Sequence, residues 1–183
     1  MKIYTQEIDS RSELGFKRLS ERRMQFIYSP SADMRLGSSY LLVYCVSLKI
    51  GKKEFLVITN DWADTPKEYH DYYFLKARIE DRPRDVAVFD SSDESEWTYK
   101  MDHFSMIFDA EKSVESVQIL SDRYEGTEEI VEYDAGALIN LQDDTKFLIV
   151  REESISGLLH LITDSAEIKD AISGLDVRLS YCA

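Results

Sequence analysis

Glycine, proline, cysteine and long apolar runs are all scarce in this sequence. The chain has 183 residues, among them seven glycines, three prolines and two cysteines. No two glycines lie closer than ten residues, so neither the dinucleotide-binding GxGxxG pattern nor a P-loop can be built, and both classes of nucleotide-binding enzyme are excluded. The longest apolar run, residues 40–46, is far shorter than the ~20 residues that span a bilayer.

The two cysteines form neither a disulfide framework nor a CxxC motif. Cys45 lies inside an apolar run, which is typical of a buried thiol, and Cys182 is next to the C-terminus. The first residues lack the apolar core of a signal peptide. We therefore expect a cytoplasmic protein that needs no cofactor.

Acidic residues outnumber basic ones, and nearly all of the excess lies in the second half of the chain. The formal net charge is −13; residues 1–100 hold 16 basic and 17 acidic side chains, whereas residues 101–183 hold 6 and 18. A negative potential repels phosphate groups and anionic lipid, so we expect neither a nucleic acid nor a membrane as partner. A negative potential favours a basic protein as partner. An acidic surface can also serve only to keep a protein soluble.

Strand periodicity dominates the sequence, and it predicts a β-dominated α+β fold with antiparallel sheet and a few short helices. Residues 40–50 and 54–59, separated by Gly51-Lys52, predict a hairpin over 40–59. A second hairpin is predicted over 137–150. Helix signals are confined to a segment that begins after Asp164 and to a weaker one that begins near Ser10. Further strands are expected at 73–80, 86–89, 104–108, 158–163 and 177–181.

Residues 1–183 are expected to form one compact unit, with a possible division into two lobes. The polar segment 91–96 contains no apolar residue and lies where the charge balance changes. It would separate a near-neutral β-rich half, 1–90, from a strongly acidic β-rich half, 97–183. A surface loop within one domain is the alternative interpretation.

Motifs for catalysis and for metal binding are missing from the sequence. There is no GxSxG or SxxK pattern, no HExxH and no EF-hand loop. His70, His103 and His160 are the three available imidazole bases, and His160, between two leucines, is expected to be a core residue. We therefore predict no catalytic and no metal-ligating residues.

Two groups of residues are candidates for contact with a basic partner. Large aromatic side chains beside acids supply both contact area and charge complementarity, and acidic doublets in the second half supply charge. Tyr73 and Phe74, in the same aromatic stretch, are expected to be core. The candidate contacts are Trp62, Tyr69, Tyr72, Glu128, Glu129, Asp143, Asp144, Glu152 and Glu153.

These features favour a non-enzymatic binding module that holds a basic protein, such as an inhibitor or immunity protein for a cationic toxin. Inhibitors need only complementary shape and charge, which leaves no catalytic motif in the sequence. One alternative is a small metal-dependent hydrolase or nuclease that uses carboxylates and a histidine. A second alternative is an assembly subunit whose exposed strand edges pair with neighbouring copies.

Overall fold

The structure is a computed structural model that describes residues 1–21, 23–85 and 98–183. Strands account for 58% of the residues and helices for 11%, which confirms the β-dominated α+β prediction. The helices are α1 (Ser10–Ser20) and α2 (Ser165–Ala171). The strands are β1 (Lys2–Gln6), β2 (Arg23–Ser29), β3 (Ala32–Arg35), β4 (Leu41–Val43), β5 (Cys45–Gly51), β6 (Glu54–Asp64), β7 (Asp71–Glu80), β8 (Thr98–Met101), β9 (Phe104–Glu125), β10 (Glu129–Leu141), β11 (Lys146–Arg151), β12 (Leu159–Ile162) and β13 (Asp176–Cys182).

The strands form two antiparallel sheets that share the long strand β9. The first half of β9 pairs with β2 and continues the order β7-β6-β5-β2-β9. Its second half lies between β13 and β10, and that sheet continues through β11, β12, β4, β3 and β8. Strand β1 adds to β10 in parallel. Strands from both halves of the chain therefore pair within each sheet.

Both predicted hairpins are present, with adjusted ends. In the first, Cys45 pairs with Thr59 and Val46 with Ile58, so the paired part begins at residue 45. Residues 41–43 belong instead to β4, which pairs with β3 and β12. The connection is Lys52-Lys53, because Gly51 ends β5 and pairs with Glu54. The second hairpin joins β10 to β11, and its paired residues run from Gly136 with Val150 to Asn140 with Lys146.

Both helices begin at an aspartate N-cap, since a short acceptor side chain satisfies free N–H groups of the first turn. Asp9 accepts hydrogen bonds from the backbone of Arg11 and Ser12, and Asp164 accepts them from Ala166 and Glu167. The predicted segment after Asp164 is thus a helix. The carboxylate of Glu167 binds Ser39 instead of closing a capping box.

The β6–β7 hairpin is held against the rest of the molecule on both of its faces. On one face, Tyr72 and Phe74 are buried with Val131 and Tyr133 of β10. The opposite face belongs to the main core, where α1 covers it. Gly15 permits this approach, because a Cβ there would lie 2.7 Å from Leu56 Cδ1. Burial on both faces makes the hairpin a rigid platform.

Two predicted segments, the strand at 86–89 and the boundary at 91–96, lie outside the described residues. None of the described helices has the length and the apolar composition that a membrane crossing requires.

Candidate functional site

The β6–β7 hairpin extends beyond the part of it that is buried on both faces. Strand β6 continues to Asp64, five residues beyond the predicted end at Thr59, because it pairs along its whole length with β7. The loop 65–70 then connects the strands. Trp62 therefore stands on a paired strand rather than in a loop, and its orientation is fixed by the sheet.

Trp62 and Tyr73 form a cross-strand aromatic pair at this end of the hairpin. They are register partners, and register partners in an antiparallel pair have Cβ atoms about 4.5–5.5 Å apart on the same face. Trp62 is 41% exposed and Tyr73 is half-buried. An exposed tryptophan held by a paired strand presents contact area at little further cost in conformational entropy.

Asp64 and Asp71 are the next register pair on the same face. Both side chains are exposed. A hydrogen bond with Asp71 raises the pKa of Asp64, and desolvation and the charge of Asp71 act in the same direction. Two carboxylates directly opposite each other repel, so the hairpin carries an electrostatic strain that a cation would relieve.

The connection between β11 and β12, residues 152–158, lies against the same face and adds two more acids. Asn60, two residues before Trp62, donates from Nδ2 to the carbonyl oxygens of Glu152 and Leu158, both at 2.8 Å. Alternate residues of a strand share a face, so this connection is fastened beside the aromatic pair. Ile155 within it is 70% exposed.

We call these side chains together the acidic aromatic surface. It comprises Trp62, Asp64, Asp71, Tyr73, Glu152 and Glu153. Desolvation, and then the negative charges of the four carboxylates, raise the pKa of Tyr73. Among the described side chains, the ion pair that reaches these acids is Arg151 to Glu153, at 3.0 Å. The surface therefore combines exposed aromatic area with an excess of negative charge.

Two predicted contacts, Glu152 and Glu153, thus lie with Trp62, whereas Asp143 and Asp144 lie elsewhere. The latter pair forms the turn between β10 and β11. Asp144 has a φ of 62°, in the left-handed region, and Asp143 accepts a hydrogen bond from the backbone of Thr145 at 3.2 Å. Local turn geometry accounts for short acidic side chains here.

Glu128 and Glu129 serve the contact between the loop 65–70 and the turn before β10. Glu128 forms a 2.8 Å ion pair with Lys67. Glu129 is fully buried and accepts hydrogen bonds from the backbone of Lys67 and Glu68, at 3.0 and 3.2 Å. Desolvation is the largest single influence on the pKa of Glu129 and acts to raise it. The hydrogen bonds together outweigh desolvation, so the pKa of Glu129 is lowered. Burial removes Glu129 from any contact surface.

The aromatic candidates divide between surface and core. Tyr69 is 77% exposed on the loop that follows Asp64, at the tip of the hairpin. Tyr72 is only 9% exposed and packs against Phe74 and Tyr133, with ring centroids 5.7 and 5.4 Å apart. Tyr72 is therefore not an available contact. Tyr73, which was expected in the core, is half-buried and lies on the same face as Trp62.

Cys45 is buried, His160, which was expected in the core, is half-buried, and His70 and His103 are exposed. Each histidine ring lies beside a tyrosine ring: His70 by Tyr124, His103 by Tyr28 and His160 by Tyr40. Desolvation lowers the pKa of His160 and raises the pKa of Cys45 to about 11. Within residues 1–21, 23–85 and 98–183, no three His, Cys, Asp or Glu side chains are grouped so as to hold a metal ion.

Comparisons of the chain with protein-family models, with curated proteins and with solved structures give no significant match. The functional proposal rests on the geometry of the acidic aromatic surface.

Proposed function

We propose that this protein is a non-enzymatic binding module and that its acidic aromatic surface holds a basic protein partner. The observation that carries the proposal is the placement of the Trp62–Tyr73 pair among four carboxylates on a rigid hairpin. Aromatic side chains supply the anchoring area that dominates many interfaces, and the carboxylates select a positive partner and guide its approach.

The source of the charge differs from the one indicated by the sequence. The acidic half of the chain contributes Glu152 and Glu153, but Asp64 and Asp71 come from the near-neutral half. A search for acidic doublets does not find these two residues, because they are separated in sequence and meet only through the hairpin register. An inhibitor or immunity protein for a cationic toxin is the specific function that we propose for such a surface.

Selection from a library of random peptides tests this proposal without a known partner. The protein is immobilised at low salt, and bound peptides are sequenced and compared with the starting library. We expect enrichment of lysine and arginine, together with loss of binding at high salt, because screening weakens exposed charge pairs. Enrichment of neutral or acidic peptides would overturn the proposal.

A second selection supplies the control for location. It uses a variant in which Glu152→Gln and Asp71→Asn remove two charges from the acidic aromatic surface. We expect this variant to lose most of the enrichment in basic peptides. Equal enrichment with both proteins would show that the basic peptides bind elsewhere.

A further inference from the structure

We propose that Glu68 and Glu129 form an acid-sensitive latch, which fixes the loop 65–70 against the turn 126–128 and releases it when these carboxylates are protonated. The inference goes beyond the proposed function and does not depend on it. The observation behind it is reciprocal: Glu68, in the loop, accepts hydrogen bonds from the backbone of the turn, and Glu129, directly after the turn, accepts them from the backbone of the loop. We call these two carboxylates and the N–H groups that they bind the carboxylate latch.

Glu68 reaches from the loop to the turn. One carboxylate oxygen accepts from the backbone N–H groups of Thr127 and Glu128, both at 2.8 Å, and from the Thr127 hydroxyl. The other accepts from the Tyr124 hydroxyl at 3.1 Å. Gly126 leaves room for this carboxylate, because a Cβ at that position would lie on it. Four donors around one carboxyl group suit its ionised form, which only accepts.

Glu129 reaches in the opposite direction and is fully buried. Its Oε2 accepts from the backbone N–H groups of Lys67 and Glu68, at 3.0 and 3.2 Å. Its Oε1 is buried without a hydrogen-bond partner among the described residues. Because burial disfavours a charge, Glu129 needs the N–H donors of the loop to remain ionised.

The loop has a conformation that must be held by its contacts. Tyr69 has a φ of 52°, in the left-handed region, which is unfavourable for a residue with a side chain. Its side chain is 77% exposed and contributes little packing. Hydrogen bonds within the loop join Thr65 to Tyr69 and His70, and the carboxylate latch fixes the loop to β10. Loss of the latch should therefore free the loop that carries Tyr69.

Acid is the signal that opens the latch. The pKa values of Glu68 and Glu129 both lie below the ordinary 4.5. A carboxyl group whose pKa is depressed in the closed form stabilises that form above its ordinary pKa and loses the contribution as the pH falls through the depressed value. Protonation of either carboxylate weakens the contact that the other one needs, so the two should titrate together.

Other titratable groups face the latch and must be distinguished from it. Carboxyl and imidazole groups are the side chains that change charge between pH 7 and pH 3, so Glu128 and His70 need controls. The groups that surround the latch are Lys2, Tyr4, Lys67, His70, Tyr124 and Glu128.

The first test is a titration of the wild-type protein from pH 7 to pH 3, followed by backbone amide NMR. We expect the resonances of 65–70 and 126–129 to change together, with one midpoint below pH 4.5 and a slope steeper than that of a single proton, while the amides of β5 and β11 keep their positions. The ring resonances of His70 report its own titration.

Three results of the titration would overturn the latch. They are separate midpoints for the two segments, a common midpoint that coincides with the titration of His70, and global unfolding in the same step, seen as loss of the β5 and β11 amides.

The second test opens the latch at pH 8, where acid is absent. Protease Lys-C cleaves after lysine, so cleavage after Lys67 reports opening of the loop, and cleavage after Lys53 in the β5–β6 turn is the reference within each sample. We expect Glu68→Gln and Glu129→Gln to be cleaved after Lys67 about tenfold faster than the wild type, relative to Lys53.

Glu128→Gln is the matched control, because it removes the neighbouring carboxylate, which forms an exposed ion pair with Lys67. Exposed ion pairs contribute little, so we expect the cleavage rate after Lys67 to change by less than about twofold. Equal acceleration by all three variants would assign the effect to lost charge near Lys67 and overturn the latch, as would no acceleration by either latch variant. Unchanged amides in β5 and β11 show that each variant is folded; if one is not, the wild-type titration decides. Neither test uses a basic partner, so failure of the latch leaves the proposed function standing.

Discussion

Trp62 and Tyr73 stand directly opposite each other on adjacent strands, with Trp62 41% exposed on the outer part of a hairpin whose inner part is buried on both faces. Their neighbours along the strands, Asp64 and Asp71, are opposed in the same manner. One stretch of sheet thereby fixes an aromatic pair and an acidic pair side by side. This relationship is the structural basis for the proposed binding of a basic partner.

Neutralising charge at the surface should slow association. With a basic peptide obtained by library selection, Asp71→Asn combined with Glu152→Gln is expected to lower the association rate and to weaken its dependence on salt, because fewer charges guide the approach. Stopped-flow measurements at low and physiological salt check this. An unchanged association rate at both salt concentrations would show that these carboxylates do not guide the peptide.

Removing the aromatic anchor should act on dissociation instead. Trp62→Ala is expected to speed dissociation of the same peptide, since loss of a well-packed anchor shortens the lifetime of a complex. Tyr69→Ala, on the loop at the hairpin tip, is expected to have a smaller effect in the same direction. A dissociation rate that is unaffected by Trp62→Ala contradicts the anchor role.

A buried ion pair should dominate the stability of the region where α1, β10 and β13 meet. Asp134 is fully buried and accepts from Arg178 Nε at 2.7 Å and from a terminal guanidinium nitrogen at 2.8 Å. Asp134→Ala removes these hydrogen bonds and the one that the Ile8 backbone N–H donates to Asp134 at 2.7 Å, whereas Arg178 keeps its ion pairs with Glu13 at 3.0 Å and Glu7 at 3.5 Å. The buried donors that lose their acceptor should lower the free energy of unfolding by about 1–3 kcal/mol. Urea denaturation measures this loss. An unchanged free energy of unfolding would contradict the structural role of Asp134.

The loop 65–70 should make folding stability depend on pH through Glu68. The carboxylate of Glu68 accepts hydrogen bonds from the backbone N–H groups of Thr127 and Glu128, both at 2.8 Å. A further hydrogen bond from the Thr127 hydroxyl is the largest influence on the pKa of Glu68. Together these hydrogen bonds lower that pKa below its ordinary 4.5. A carboxyl with a depressed folded pKa stabilises the fold above the unfolded pKa and loses that contribution as the pH falls through the folded pKa.

Glu68→Gln should therefore be less stable than the wild type at pH 7, and the difference should shrink below pH 4.5. Thermal unfolding across this pH range checks the prediction. A difference that stays constant with pH would show that the charge of Glu68 contributes nothing through these hydrogen bonds. Gly126→Ala offers an independent check, because its Cβ would lie on the carboxylate of Glu68 and should displace that carboxylate from its hydrogen bonds.

The two thiols should react at very different rates. Cys45 is buried, and desolvation raises its pKa to about 11, whereas Cys182 is exposed. The thiolate is the reactive form, so at pH 8 a thiol reagent should modify Cys182 quickly and Cys45 only as the protein unfolds. Mass spectrometry of the labelled peptides distinguishes them. Rapid modification of Cys45 in the folded protein would contradict the packing of β5.

The fold class was predictable because apolar alternation and turn residues are local signals. The hairpin at 137–150 and the helix after Asp164 both follow from such signals. The end of β6 was not predictable, because Asn60 and Asp61 are typical of turns and only pairing with β7 keeps them in a strand. The extension to Asp64 depends on a tertiary contact, as does the separation of residues 41–43 into β4.

Only part of the candidate site could be predicted from the sequence, because its residues are brought together by tertiary contacts. Trp62 and the doublet Glu152-Glu153 were identified from composition, but their proximity depends on the tertiary hydrogen bonds of Asn60, which the sequence does not reveal. Tyr72 and Tyr73 are adjacent and chemically identical, so only the orientation of the strand decides which one is buried. Asp64 and Asp71 are visible in the sequence as acids within the aromatic stretch, but their position opposite each other could be found only from the hairpin register.

A comparison of two charge-matched variants tests the central claim most directly. One replaces the four acids of the acidic aromatic surface by Asn or Gln; the other makes the same replacement at four exposed acids elsewhere, Asp102, Glu115, Asp144 and Asp170. Both lose the same net charge, so a difference in affinity for the selected basic peptide reports location alone. We expect the first variant to bind at least about tenfold more weakly than the second. Equal affinities would contradict the claim that this surface is the binding site.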